Sequence, residues 1–178
     1  MTDQAKSLIR MGELTGNRKR PFFLKPDAAA RAKLAEGLDL LGLENLRFEG
    51  ELTPKGRSDV ALKGRLRADV VQPCVVTLKP VPAKIDTPVE RTYMAHWEDP
   101  EGDEAEMPED DTLEPMPDVL DLQAVLVEAL ALALPDYPRA EGAELESKDF
   151  AEEGAEPIVE AELKPFAALA ALKDRLKS

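Results

Sequence analysis

Cys74, His96 and Glu128 are the positions where the residue type alone suggests chemistry, so their surroundings decide which reactions are open to the chain. Cys74 is the only cysteine and His96 the only histidine, so no intramolecular disulfide can form and no Cys/His zinc site can reach four protein ligands. Glu128 interrupts an Ala/Leu run, but no histidine, cysteine or second convergent carboxylate stands at a spacing that would make it a general acid or base. A hydrogen bond or ion pair, with Arg139 as the partner, is the expected role. No Gly-rich phosphate loop, Ser/His/Asp ordering or metal-ligand cluster is present, so neither an enzyme activity nor a cofactor is expected.

Binding chemistry is better represented. Lys63, Arg65 and Arg67 recur at spacing two, which on a strand places three cations on one face, about 7 Å apart. Such a row suits successive phosphates, and Lys55, Arg57 and the cluster Arg18, Lys19 and Arg20 would extend it into a sequence-independent, salt-sensitive RNA contact. The same row equally suits the solvated outer face of an antiparallel sheet. That strand carries no aromatic residue, so stacking of single-stranded bases is not expected from it.

The chain carries a net charge of −13, which hides an asymmetry. Met1 to Trp97 holds 17 Lys/Arg against 12 Asp/Glu, whereas Glu98 to Ser178 holds 6 against 24. The first half is therefore basic and the second strongly acidic. Glu98–Asp118 contains 11 carboxylates, several prolines and no Lys or Arg, and is expected to be a disordered insert. An anionic tether of this kind can occupy a cationic sheet in cis, or can bind a basic protein as a chaperone would.

The elements that must position these residues are read from periodicity. Residues 1–20 are expected to form a mobile basic arm, and residues 21–97 a helix plus an antiparallel sheet. Residues 119–178 are expected to form a helical C-terminal part packing on the same domain. Asp27 caps a helix over Ala28–Leu41, and alternation around Leu46, Phe48 and Gly50 gives a first strand. Leu62, Leu66, Ala68 and Val70 alternate with charged residues to give a second. Cys74–Leu78 reads as a third, and Ala83–Ala95 as a fourth with Pro88 at an edge or bulge. Helices follow from Asp118 or Asp121 to Leu134, and from Pro165 to about Leu176. With 4% aromatic residues, Phe22, Phe23, Phe48, Tyr93 and Trp97 are the expected large core anchors. The fold class is α+β: an antiparallel sheet, open or curved toward a barrel, with flanking helices. No run of about 18 apolar residues and no signal-peptide core occurs, so the cytoplasm is the expected location, without a membrane or DNA partner.

Three blocks carry a family resemblance. They are Gln72-Pro73-Cys74-Val75-Val76-Thr77-Leu78-Lys79-Pro80-Val81, the long run Asp121 to Arg139 with Glu128, Leu132, Tyr137 and Pro138 inside it, and Lys164-Pro165-Phe166-Ala167-Ala168-Leu169. In this order, with an acidic insert between the first two, the chain resembles the YceD-like proteins, called large ribosomal RNA subunit accumulation proteins. The resemblance spans about Arg20 to Leu172. It implies a bacterial or organellar factor in ribosome biogenesis, with large-subunit rRNA or a precursor particle as partner. Many relatives read Cys-x-x-Cys-Leu at the first block, whereas Thr77 stands here at the second position. A metal or redox role of such a pair does not carry over, and Cys74, Pro80, Glu128, Leu132, Tyr137, Pro138, Arg139, Pro165 and Phe166 are expected to be structural.

Overall fold

The computed structural model describes residues 7–14, 18–97, 110 and 112–144. The chain divides into two compact units, Met1–Glu141 and Gly142–Ser178, and every described strand and helix belongs to the first. The expected helix over 165–176, with Pro165 and Phe166, and most of the acidic insert lie outside the described residues.

Leu62, Leu66, Ala68 and Val70 face one way along β4 (Asp59–Pro73), and their burial is what selects the sheet's inner face. β4 is the centre of a five-stranded sheet. It pairs antiparallel with β3 (Gly42–Lys55) on one side and β5 (Pro80–Met94) on the other. β2 (Arg20–Leu24) adds antiparallel to β3, and β6 (Leu113–Pro115) adds parallel to the end of β5. The sheet is open, running β2-β3-β4-β5-β6. Pro88 lies where β5 pairs only with β4, so its missing N–H faces an unpaired edge, as its position requires.

Two helices among the described residues complete the α+β fold. α1 (Ala28–Gly37) starts at Asp27, whose carboxylate accepts from Ala30 N at 2.8 Å. It ends four residues earlier than its apolar stripe suggested. Leu38 caps it, Asp39 takes a left-handed conformation, and Leu41 is exposed. α2 (Leu122–Ala133) starts at Asp121, whose carboxylate accepts from Gln123 N at 2.9 Å, and stops before Pro135. Its buried stripe Leu122, Val125, Leu126, Ala129 and Leu130 joins Phe48, Leu62 and Leu66 in one core.

Three expectations are corrected. The arm over residues 1–20 is ordered at 7–14: β1 (Leu8–Arg10) pairs antiparallel with β7 (Val119–Asp121), burying Ile9 beside Leu120, and a 3-10 turn over Met11–Leu14 buries Met11 and Leu14. Isolated apolar residues in a polar segment carry no periodic signal, so this strand was not legible. The insert over 98–118 is also not wholly outside the fold, because its end forms β6 and the lead into β7. Finally, Cys74–Leu78 is not a strand but the tight turn between β4 and β5, with Leu78 N donating to Cys74 O at 2.9 Å and Cys74 N to Lys79 O at 2.8 Å. The β-branched run Val75-Val76-Thr77 mimics a strand, but its N–H groups go to Pro138 O and to the Cys74 sulfur rather than to a neighbouring strand.

Candidate functional site on the outer face of the sheet

Strand alternation puts Lys63, Arg65 and Arg67 on the solvent face of β4, one row as expected. Register then supplies each with a carboxylate. Lys63 lies between Glu51 and Glu90, Arg65 beside Glu49 and Arg67 beside Asp86. Lys63 Nζ stands 3.7 Å from Glu90, Arg65 Nε donates to Asp86, and Arg67 donates to Glu49 at 2.8 Å and to Asp86 at 3.1 Å. The Arg65 and Arg67 guanidiniums hold the Asp86 carboxyl below its ordinary range, the Arg65 hydrogen bond first among the causes. The face is thus a mixed-charge lattice rather than a bare cationic row, which removes the simplest electrostatic argument for phosphate contact.

The remaining candidates divide. Lys19 pairs with Glu51 at 2.7 Å, lowering the Glu51 carboxyl, and Arg20 lies 3.8 Å from Glu13. Lys55 Nζ donates to Thr92 Oγ1 at 3.4 Å. Arg18 and Arg57 are exposed and make no ion pair among the described residues.

Cations not singled out from the sequence are freer. Lys25, Arg47 and Lys84 are exposed and have no carboxylate partner among the described residues. They border a cavity of about 390 Å³ with Phe23, Asp69 and Asp86. Phe23 was expected in the core, yet it is 60% exposed. Phe22 faces inward instead, its ring 4.9 Å from that of Phe48. Consecutive residues on a strand point to opposite faces, so one member of the pair had to face out.

On the inner face, Arg91 of β5 lies under α2 with its side chain only 16% exposed. Its guanidinium stands 2.6 Å from Glu114 of β6 in a close charge contact, and donates to Glu128 at 2.8 Å. Glu128 therefore pairs with Arg91, not with Arg139, which is exposed. Burial raises the Glu114 carboxyl above its ordinary value, Arg91 opposes that rise, and Glu128 adds to it. Burial also raises the neighbouring Tyr93 phenol.

Two of the sequence blocks meet at one end of the sheet. Val75 N donates to Pro138 O at 3.0 Å, and Gln72 Nε2 to Pro135 O at 3.2 Å. The buried Cys74 Sγ accepts from Val76 N and Thr77 N at 3.5 Å and from Ala140 N at 3.3 Å. The turn before β5 and the exit from α2 are thus clasped through one sulfur and two carbonyls. Pro138 is buried in this clasp, while Pro80, Leu132 and Tyr137 are exposed.

A family model described as large ribosomal RNA subunit accumulation protein YceD matches residues 62–173, from within β4 through the clasp and beyond it. The chain belongs to the YceD family. Membership in the YceD family carries a role in the accumulation of large-subunit ribosomal RNA, and so in ribosome biogenesis. No curated protein and no solved structure matches the chain. The YceD match covers the Cys74 turn, Glu128 and Tyr137-Pro138-Arg139, whereas Phe23 of β2, Lys25 just after it and Arg47 of β3 precede it. No helix among the described residues is long and apolar enough to cross a membrane.

Proposed function

We propose that the chain supports large-subunit rRNA accumulation as a non-catalytic factor that contacts rRNA, or the precursor particle containing it, through the outer face of its sheet. Family membership carries this reading. The outer face favours it in a restricted way: Lys63 and Arg65 remain at least half exposed although paired, so their carboxylate partners can be exchanged for phosphates at small cost. Contact of this kind is transient, because each new phosphate bond displaces an existing ion pair. Among the described residues no group of His, Cys, Asp and Glu is arranged to hold a metal.

Sedimentation of the tagged full chain from cells tests the proposal. Co-migration with large-subunit precursor fractions at low salt, reduced at moderate salt, together with a fall in large-subunit rRNA on deletion of the gene, is the expected result. Absence from those fractions at both salt levels with unchanged rRNA would reject it.

A further inference from the structure

The lattice of ion pairs breaks at one place on the outer face. Around the cavity formed by the end of β2, the bulged part of β3, and β4 and β5, the cations Lys25, Arg47 and Lys84 make no ion pair among the described residues. Arg67 is held by Glu49 and Asp86, and the lining carboxylates are Asp69, across from Lys84, and Asp86. Asp86 is already bound by Arg65 and Arg67, and Asp69 accepts from Asn45 Nδ2. Register places Arg47 directly across from Arg67, two like charges side by side on neighbouring strands. Glu49 and Asp86 offset the charge of Arg67, whereas Arg47 has no carboxylate partner among the described residues and is left to an added anion. In a chain of net charge −13, this is a local positive excess held in a concave surface.

Phe23 adds a second, independent feature. It leaves most of a large apolar ring in water on the outer face of an edge strand, paired at Glu49 and bordering the same cavity. An exposed ring beside unpaired cations matches a ligand with one flat face and one anionic group. An acidic peptide offers carboxylates but no such face, and an RNA duplex hides its base faces within the stack. The volume, about 390 Å³, lies near the lower end of the roughly 300–1,000 Å³ typical of small-ligand sites, which suits a single nucleotide.

We propose that this cavity takes one nucleotide of a single-stranded RNA segment, its base on Phe23 and its phosphates against Arg47 and Lys84, with Lys25 at the rim. The inference rests on the reading that the chain contacts rRNA, and narrows it to an unpaired stretch and to a definite end of the sheet.

The test is fluorescence anisotropy of the full chain with a labelled ten-nucleotide single-stranded RNA and with the corresponding duplex, across a salt series. The wild type is expected to prefer the single strand. Phe23→Ala weakens that binding about tenfold, the order expected for one lost base–aromatic stack. Arg47→Ala with Lys84→Ala weakens it by a similar or larger factor and lowers the log–log salt slope by about 1.4, as two lost phosphate contacts require. Lys55→Ala with Lys63→Ala, on the same strands but outside the cavity, weakens it less than the cavity pair does, because the Lys63 contact to phosphate must displace Glu90. The altered side chains are exposed, and unchanged circular dichroism confirms folding. As an independent measurement, photo-crosslinking of thiouridine RNA is expected to map to the peptide carrying Phe23 and Lys25. Full binding by the cavity variants, with loss in Lys55→Ala/Lys63→Ala, overturns the cavity assignment and leaves the rRNA reading standing. Wild-type preference for duplex with no effect of Phe23→Ala does the same. No binding of either RNA at any salt, with the chain still co-sedimenting through protein, overturns RNA contact and the cavity with it.

Discussion

Cys74 shows how a residue type can mislead when its environment is unknown. As the only cysteine, beside Thr77, it offers no metal pair, yet its sulfur is not inert packing: three backbone N–H groups point at it. Donors to sulfur favour the thiolate, so its pKa falls to about 6, with the Ala140 N–H as the largest cause, the Thr77 side chain next, and burial opposing. The sign follows from linkage. The unfolded chain binds this proton more tightly than the folded one, so stability rises with pH from about 6 toward the ordinary value of 9.0 and is lost as pH falls through about 6. Thiolate absorbance of the full chain is expected to titrate near 6 in buffer and near the ordinary thiol value in denaturant, with no competing cysteine to confuse the signal. Cys74→Ala should abolish the absorbance change, flatten the pH dependence of the urea midpoint between about 6 and 9.0, and lower that midpoint by leaving three N–H groups without an acceptor. A folded-state titration at the denatured value would show that the clasp is not closed in solution.

Among the elements, what was legible in the sequence was whatever depends on neighbours in the chain. The alternation of Leu62, Leu66, Ala68 and Val70 marks β4, and the stripe from Leu122 to Leu130, with Asp121 before it and Pro135 after it, marks α2. Register is non-local and was not legible. It decides that Glu51 and Glu90 flank Lys63, that Arg47 and Asp86 flank Arg67, and that Gly50 of β3 lies across from Gly64 of β4. That glycine pair has a steric cause. A Cβ on Gly64 would stand 2.6 Å from Cε2 of the Phe48 ring, and one on Gly50 would meet the Lys63 carbonyl oxygen and, at 2.9 Å, the Phe22 ring. The two tilted rings thus occupy space that any side chain at these glycines would claim. Gly64→Ala is expected to cost about 1–3 kcal/mol in chemical denaturation, the usual range for an overpacked core. Gly50→Ala should cost more, because it strikes backbone that cannot rotate away. A neutral Gly64→Ala would mean that the Phe22–Phe48 stack is loose enough to move aside.

For the whole molecule the decisive quantity is how charge is distributed, and sequence arithmetic captured only half of it. The basic first half exists, but much of its positive charge is neutralised within the sheet by Glu49, Glu51, Asp86 and Glu90, leaving Lys25, Arg47 and Lys84 among the unpaired cations. Among the described residues only three unpaired cations border the cavity, so RNA binding there should depend on salt only shallowly, with a log–log slope near −2 for about three phosphate contacts to a single strand. The same count makes binding sensitive to the chain's own anions. Removing residues 98–109 deletes seven carboxylates and no Lys or Arg. If that stretch competes for the outer face, its deletion should raise affinity for single-stranded RNA several-fold at about 50 mM salt and leave it unchanged at about 0.5 M, where screening acts over only a few ångströms. If the stretch instead serves to hold a basic ribosomal protein, RNA affinity will be the same with and without it at both salt levels, and capture of a purified basic ribosomal protein will be lost. Anisotropy for the first and co-precipitation for the second, on the same pair of proteins, separate an anion that regulates the sheet from one that recruits a partner.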